Sequence, residues 1–348
     1  MKTYKYNATF KLELGEELPY LEVGYHTYGK LNKDKSNVIW VCHALTANSD
    51  VFDWWSGLFG ENDYFNPNDY FIVCANILSS CYGTTSPLQT VKSKQYHKFP
   101  VVTIRDMVNA HKLLRKHLGI EKINTIIGGS MGGQQALEWN VQEPDLFEHL
   151  IVIATNAKHS PWGIAFNESQ RMAIEADATW QLSTPKAGLQ GMKAARSMAL
   201  ISYRSYFAYS KTQHEVDNDK TDDFKAVSYQ QYQGQKLAKR FNAFSYYRLS
   251  QAMDAHNLGR NRESIEAALQ QISAQTLAIG ISSDGLFPPS EQRYIAKHIQ
   301  GGRFVEIDSF YGHDGFLVET EKLTEIIKTF FEQKVGKTNT KNLRGLRA

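Results

Sequence analysis

The stretch "INTIIGGSMGGQQALEW", residues 123 to 139, sets a short apolar run against four glycines that flank Ser130. The apolar run predicts a buried strand, and the residues after the serine predict an amphipathic helix. Gly128, Ser130 and Gly132 fit the G-x-S-x-G pattern of a nucleophile elbow, a sharp strand-to-helix turn that presents a serine hydroxyl. We therefore expect a strained serine whose hydroxyl projects into solvent, with glycines that let the strand and the helix approach closely.

The same residues allow a second interpretation, in which a glycine-rich turn between the strand and the helix binds phosphate. Such turns carry a lysine followed by serine or threonine, or the pattern G-x-G-x-x-G. Neither feature occurs around Ser130. The strand, turn and helix context favours a nucleophilic serine over a phosphate-binding turn.

Six strand-sized runs, apolar on both faces, predict a sheet that is covered on two sides. They occupy residues 37–45, 70–78, 123–129, 149–156, 276–282 and 303–308. Helical patterns lie between several of them, such as "TIRDMVNAHKLLRKHLG", where Thr103 is placed to cap the start and Gly119 to end the helix. This alternation predicts an α/β protein with a mostly parallel central sheet flanked by helices, and residues 6–29 read as antiparallel strands at its edge.

The strand pattern stops between residues 160 and 274, where the sequence becomes helical and rich in Tyr, Gln, Met and Arg. We interpret this segment as an inserted helical cap. Residues 1–159 and 275–333 then form the two parts of the core. Residues 334–348 hold five cations and no anion, and this basic tail is expected to be disordered.

Composition excludes several classes of function. The 348 residues are 42% hydrophobic and can bury a large core, and the net charge of +3 depends on the basic tail, so a nucleic-acid partner is not expected. No apolar run is long enough for a membrane span or a signal peptide. Cys42, Cys74 and Cys81 have neither a disulfide-like number nor a zinc-like spacing, so we expect no metal site and a cytoplasmic location.

A serine hydroxyl needs a base, and in this arrangement the partners follow in the order serine, acid, histidine at the ends of later strands. Asp284 follows the run at 276–282, and His313 comes after the last strand and before the last helix. Asp284 has a second interpretation as a turn or capping aspartate, and His313 as a surface-loop histidine. Asp254 and Asp308 fit the acid position less well.

Acyl transfer also needs donors aimed at the developing oxyanion. The Met131 amide is at the start of the helix that follows Ser130. A second donor is expected from the loop after an early strand, "VCHALTANSD", and the Leu45 amide is our choice. His43 in that loop is expected to pack at the top of the sheet.

Seven segments, in this order, resemble the homoserine O-acetyltransferase family, which has the α/β-hydrolase fold. They are "GYHTYGKLN", "HALTA", "ANILSSCYGTTSP", "IIGGSMGGQQALEW", "GMKAARSMALISYRS", "SYQQYQGQKLAKRFNAFSYYRLSQAMD" and "YGHDGFLVE". The resemblance extends from about residue 7 to residue 330 and includes the helical segment as well as the serine turn.

The resemblance implies acetyl transfer from acetyl-CoA, a co-substrate, to L-homoserine, as a step towards methionine, with no bound cofactor and a homodimeric enzyme. It implies that Ser130 is the nucleophile, Asp284 the acid and His313 the base. The oxyanion amides are then those of Leu45 and Met131.

The family's substrate arginine falls on Arg196, its cap tyrosine on Tyr203 and its substrate aspartate on Asp314. An arginine fork suits the carboxylate of an amino acid, and an aspartate suits its ammonium. From the residues alone, Arg204 rivals Arg196, Asp314 is also placed to cap the last helix, and Tyr203 fits packing within the cap.

The chain departs from the family where Ala47 replaces a glycine after "HALT", in a loop that is expected beside the acyl pocket. Related enzymes use succinyl-CoA or accept L-serine, so the donor and acceptor stay open at this point. A plain esterase or thioesterase of the same fold is a further alternative, and a catalytically silent binding protein is another.

Overall fold

The computed structural model describes residues 1–90 and 94–332. The predicted basic tail, residues 334–348, lies outside them. Eight strands form one sheet, in the spatial order β1-β4-β6-β5-β7-β8-β9-β10, and two short strands form a separate hairpin. The strands are β1 Lys2–Tyr6, β2 Phe10–Lys11, β3 Glu17–Leu18, β4 Leu21–Tyr28, β5 Val38–Cys42, β6 Phe71–Ala75, β7 Ile123–Gly129, β8 Phe147–Ile153, β9 Gln275–Ile281 and β10 Arg303–Ile307.

Strands β5 to β10 pair in parallel, whereas β4 is antiparallel to both β1 and β6. The predicted mostly parallel sheet with an antiparallel edge is therefore confirmed. The helices are α1 Val51–Trp54, α2 Ile104–His117, α3 Met131–Gln142, α4 Pro161–Glu175, α5 Leu189–Tyr203, α6 Tyr206–Thr212, α7 Lys225–Ala238, α8 Ala243–Asp254, α9 Ile265–Gln270, α10 Pro289–His298, α11 Gly315–Val318 and α12 Thr320–Glu332.

The sheet separates two apolar cores, which explains why the central strands are apolar on both faces. Along β5, the side chains of Val38, Trp40 and Cys42 enter one core. Those of Ile39 and Val41 enter the other. The expectation of two apolar faces is wrong for β10, where only the last residue is buried, because β10 is an edge strand.

Helix α2 has the predicted boundaries. Thr103 accepts a hydrogen bond from the Asp106 amide in a capping box, and Gly119 adopts a left-handed φ of 66° just after the helix. Helix α3, in contrast, is not amphipathic. Every residue from Met131 to Val141 is buried, because the helix packs between the sheet, α2 and α9.

Helices α4 to α9 fall between β8 and β9, in the segment that we interpret as the cap. Helix α4 packs against α5 and α8, and α5 packs against α7. The end of α5 also contacts the 3-10 turn at Gly312–Asp314, which holds His313. Within residues 1–90 and 94–332, no helix combines the length and the apolar character needed to cross a membrane.

Candidate active site

The turn at Ser130 joins β7 to α3 with φ of 56° and ψ of −128°, a conformation that is costly for a residue other than glycine. The surrounding glycines are needed for close packing. A β-carbon at Gly132 would lie 2.0 Å from the Cys42 carbonyl oxygen, and one at Gly128 would lie 2.4 Å from the Gly132 backbone. The predicted strain at the serine is confirmed.

Ser130, His313 and Asp284 form one hydrogen-bonded chain. Ser130 Oγ lies 2.9 Å from His313 Nε2, and His313 Nδ1 lies 2.7 Å from Asp284 Oδ2. The other carboxylate oxygen, Oδ1, accepts hydrogen bonds from the amides of Leu286 and Phe287, each at 2.9 Å. One oxygen of Asp284 thus stabilises a turn, as one interpretation of the sequence expected, and the other is hydrogen-bonded to the imidazole of His313.

Burial and aromatic contacts fix the imidazole. His313 is only 3% exposed, and its ring stacks on Phe287 with the centroids 5.0 Å apart. The rings of Phe316 and Tyr203 lie 5.3 and 5.7 Å away. The alternative of a surface-loop histidine is therefore wrong.

The rival acids have other partners. Asp254 pairs with Arg171 at 2.6 Å, and Asp308 accepts a hydrogen bond from Ser282 at 3.1 Å.

The expectation that the Ser130 hydroxyl projects into solvent is wrong, because Ser130 is 6% exposed and lines a pocket instead.

The loop after β5 lies beside the serine. Leu45 lines the same pocket as Ser130, and Met131 is the first residue of α3. No hydrogen bond joins the Leu45 amide to another residue of the described ranges. A bond from the Gln135 side chain to the His43 carbonyl, at 3.1 Å, ties this loop to α3.

His43 packs at the top of the sheet as expected. It is fully buried, its Nε2 accepts a hydrogen bond from the Ile77 amide at 3.1 Å, and burial lowers its pKa to about 4. This neutral imidazole holds the loop after β5 against the loop after β6.

The pocket has a volume of about 500 Å³ and lies between the core and the cap. The core supplies Ala44, Leu45, Thr46, Ala47, Asn48, Asp53, Trp54, Ser130, His313, Asp314, Phe316 and Leu317, and the cap supplies Arg196, Tyr203, Lys236 and Arg240. Ala47 does not adopt a left-handed φ, so alanine fits this loop without strain.

The two candidate arginines have different surroundings. Arg196 lines the pocket, with its guanidinium carbon 5.4 Å from the centroid of the Tyr203 ring. Arg204 instead donates from Nε to Asp314 Oδ2 at 2.6 Å. Asp314 makes no side-chain capping bond to the helix that follows, so its capping interpretation is wrong. Tyr203 is partly buried, and burial raises the pKa of its hydroxyl.

Comparison with known proteins adds the family. The α/β-hydrolase-fold family matches residues 37–320. A homoserine O-acetyltransferase of Cyclobacterium marinum is 50% identical over 328 residues, which are 93% of each chain. The chain belongs to the homoserine O-acetyltransferase family.

The fold of this family member is also similar to that of solved structures over nearly the whole chain. A homoserine O-acetyltransferase of Bacillus anthracis superposes with a TM-score of 0.86 at 23% identity, covering 97% of this chain and 99% of its own. A solved esterase also reaches a TM-score of 0.86 at 23% identity, covering 95% and 99%. The two structural likenesses show the fold, which transferases and esterases share.

Several pocket residues of this family member were not predicted from the sequence, among them Asp53, Trp54, Lys236 and Arg240. Lys236 and Arg240 are four residues apart in "GQKLAKRF". This spacing places two side chains on one face of a helix, so the sequence contains a signal that they lie together. Within residues 1–90 and 94–332, no group of three or more His, Cys, Asp or Glu side chains is arranged to hold a metal ion.

Proposed function

We propose that the protein transfers an acetyl group from acetyl-CoA to the side-chain hydroxyl of L-homoserine, a step towards methionine. The observation that carries the proposal is the chain from Asp284 through His313 to Ser130, which ends in a pocket lined by Arg196 and Asp314. The 50% identical relative bears the name of this activity. Because acetyl-CoA is an intracellular metabolite, a cytoplasmic location is part of the proposal.

The first half-reaction forms an acyl-serine. His313 Nε2 accepts the hydroxyl proton of Ser130 as Oγ attacks the thioester carbonyl carbon, and Asp284 stabilises the imidazolium. The amides of Leu45 and Met131 donate to the oxyanion. The carbon–sulfur bond then breaks, and the CoA sulfur leaves with the proton held by His313.

The second half-reaction uses the same groups in reverse. Arg196 binds the carboxylate of L-homoserine, and Asp314 binds its ammonium. His313 removes the proton of the acceptor hydroxyl, whose oxygen attacks the acyl-serine. The proton returns to Ser130 Oγ as the ester bond to the enzyme breaks, and O-acetyl-L-homoserine is released.

A hydrolase is the second candidate, because an esterase shares the fold at a TM-score of 0.86. Transfer requires that the acyl-serine meets the acceptor before water. Ser130 is 6% exposed in a pocket that cap residues also line, and restricted access of water to the acyl-serine favours transfer over hydrolysis. The 50% identity to a transferase points the same way.

Release of CoA thiol tests the proposal, with acetyl-CoA or succinyl-CoA as donor and L-homoserine, L-serine or no acceptor. We expect release only with acetyl-CoA and L-homoserine together, and a loss of at least about 10⁴-fold in kcat for Ser130→Ala. The control is Ser273→Ala, which changes an exposed serine that donates to the Pro144 carbonyl at 2.6 Å and is expected to leave the activity unchanged. Equal release without an acceptor would identify a hydrolase, and preference for succinyl-CoA or L-serine would change the substrates but not the mechanism.

A homodimer is also part of the proposal. Tyr206 and Phe207, at the start of α6, are 80% and 69% exposed, and Ile201 and Trp162 nearby are 59% and 58% exposed. Contiguous apolar surface of this kind is typical of contacts between subunits, and a second copy of the chain is the occupant that we propose. Light scattering is expected to give the dimer mass for the wild type and a smaller mass for Phe207→Ser. A monomer mass for the wild type at micromolar concentration would contradict the dimer.

A further inference from the structure

Two pocket cations have no role in the mechanism above. Lys236 lies in the last turn of α7, and Arg240 follows that helix. Both side chains line the pocket that contains Ser130, and both residues are exposed, so their charges lie where the pocket meets solvent.

The charges around the pocket leave these two cations available. Its lining includes Arg196, Lys236 and Arg240 against two carboxylates, Asp53 and Asp314. Asp314 is already paired with Arg204 at 2.6 Å. In the proposed function, Arg196 binds the carboxylate of the acceptor. Among the lining residues that the structure describes, Asp53 is then the one carboxylate left to oppose Lys236 and Arg240. A cleft with an excess of one charge concentrates ligands of the opposite charge.

Arg240 is held in place by the core. Its Nη1 donates to the Thr46 carbonyl at 2.6 Å and to the Tyr82 hydroxyl. The other guanidinium nitrogens make no hydrogen bond to the described residues and stay available for a ligand. The guanidinium group of Arg240 is therefore held in one position, beside the loop that carries Leu45.

Lys236 differs from Arg240 because no hydrogen bond or ion pair joins its ammonium to any residue in the described parts of the chain. An ammonium on a flexible stem adapts to a ligand, whereas the anchored fork of Arg240 defines the position of the site. Together they give an anion-binding site both a fixed position and a cation that can adapt to the ligand.

We propose that Lys236 and Arg240 bind phosphate groups of the thioester donor. This inference rests on the proposed function, in which the donor is acetyl-CoA. The acetyl group itself is neutral, and the negative charges of acetyl-CoA are on phosphates, far along the pantetheine arm. Lys236 and Arg240 hold the charged part at the pocket mouth while the thioester reaches Ser130.

Three donors that differ only in phosphate content test the inference, namely acetyl-CoA, S-acetyl-4′-phosphopantetheine and S-acetylpantetheine. Each is assayed with L-homoserine for the wild type and for Lys236→Gln. We expect KM for acetyl-CoA to rise about tenfold in Lys236→Gln, the effect of one lost charge-assisted contact, with KM for S-acetylpantetheine and for L-homoserine unchanged. Lys236→Arg keeps the charge and is expected to recover most of the affinity.

The matched control is Lys239→Gln, since Lys239 caps the same helix and is exposed but does not line the pocket. A KM increase for acetyl-CoA alone would assign the contact to the nucleotide phosphates, and an increase shared with phosphopantetheine would assign it to the 4′-phosphate; both support the inference. Equal increases for all three donors, or none, would overturn it. Wild-type protein that transfers no acetyl group to L-homoserine would instead count against the proposed function, so the two failures are distinct.

Discussion

At the scale of single residues, the site depends on groups that tolerate almost no change in volume. Ser130 has a positive φ because β7 must turn sharply into α3, and its carbonyl is fixed by a hydrogen bond from the Thr155 hydroxyl at 2.7 Å. Gly132 is pressed against the backbone of the loop after β5, which also carries Leu45. The same contacts therefore position Ser130, the proposed nucleophile, and the amides of Leu45 and Met131 that are proposed to bind the oxyanion.

Gly132→Ala tests this packing. The added β-carbon would lie 2.0 Å from the Cys42 carbonyl oxygen, so α3 or the loop after β5 must move. We expect a loss of about 3 kcal/mol in the free energy of unfolding, measured by urea denaturation, together with a large fall in kcat. Gly285→Ala is the control, because no atom of the described residues lies within 4 Å of its added carbon, and its stability should stay within about 0.5 kcal/mol of the wild type. Wild-type stability in Gly132→Ala would contradict the packing argument.

The sequence predicted the residues whose place follows from order along the chain. Ser130, Asp284 and His313 each follow a strand of a parallel sheet, and the carboxyl ends of such strands meet at one edge. The pairing of Arg204 with Asp314 could not be predicted, because it depends on how the end of α5 meets the turn at Gly312–Asp314. For a residue of the cap helices, its place in the sequence does not tell which strand end of the sheet it contacts.

At the scale of elements, the junction between α5 and α6 is packed directly on the loop that carries His313. The Ser205 hydroxyl donates to the Phe310 carbonyl, and Gly312 is so close that a β-carbon there would lie 2.7 Å from the Ser205 nitrogen. Arg204 adds the ion pair to Asp314. Tyr203, Arg204 and Ser205, which are consecutive, thus connect the cap to the loop that carries His313.

Arg204→Gln separates positioning from general stability. Without the guanidinium, Asp314 loses the partner that orients its carboxylate, so we expect KM for L-homoserine to rise about tenfold while KM for acetyl-CoA stays within about twofold. Steady-state kinetics with each substrate varied in turn measures both constants. Arg293→Gln is the control, because Arg293 forms an exposed ion pair with Glu306 at 3.3 Å. Equal changes in the two KM values would mean that Arg204 acts only on the fold.

Helices were predicted best where their ends carry local signals. The capping box of α2 is formed by Thr103 and Asp106, which lie three residues apart, so the sequence contains everything needed. The environment of α3 was missed because its burial depends on α2 and α9, which lie elsewhere in the sequence. Its polar residues Gln134, Gln135 and Glu138 look like a solvated face, yet each is at most 1% exposed.

At the scale of the whole molecule, charge and burial couple stability to pH. One network links the N-terminal region to α2, α3 and the chain after α8. Arg105 pairs with Glu13 at 2.8 Å and with Glu138 at 3.0 Å, and Arg262 pairs with Glu138 at 2.6 Å. Glu138 has 2% side-chain exposure, and its charge is matched by two guanidinium groups. The network joins segments that are far apart in sequence.

Buried histidines also make the stability depend on pH, because each must be neutral in the fold. Burial lowers the pKa of His43 and His159 to about 4 and that of His111 and His256 to about 3. In the unfolded chain these groups titrate near 6.5. Below that pH the unfolded state binds more protons than the folded state, so stability falls as pH falls from 6.5 towards 4.

His111→Leu isolates one of these contributions. Neither ring nitrogen of His111 has a hydrogen-bond partner among the described residues, and the ring lies 5.9 Å from Trp40 in the core, so leucine suits the site at neutral pH. Each buried neutral histidine costs up to about 1.4 kcal/mol per pH unit below 6.5, so the variant should lose about 2 kcal/mol less than the wild type between pH 6.5 and 5. Urea denaturation at both pH values measures the difference. His214→Leu, which changes an exposed residue, is the control, and its free energy of unfolding should change with pH as in the wild type. If the free energy of unfolding of His111→Leu also changed with pH as in the wild type, His111 would take up a proton without unfolding of the protein.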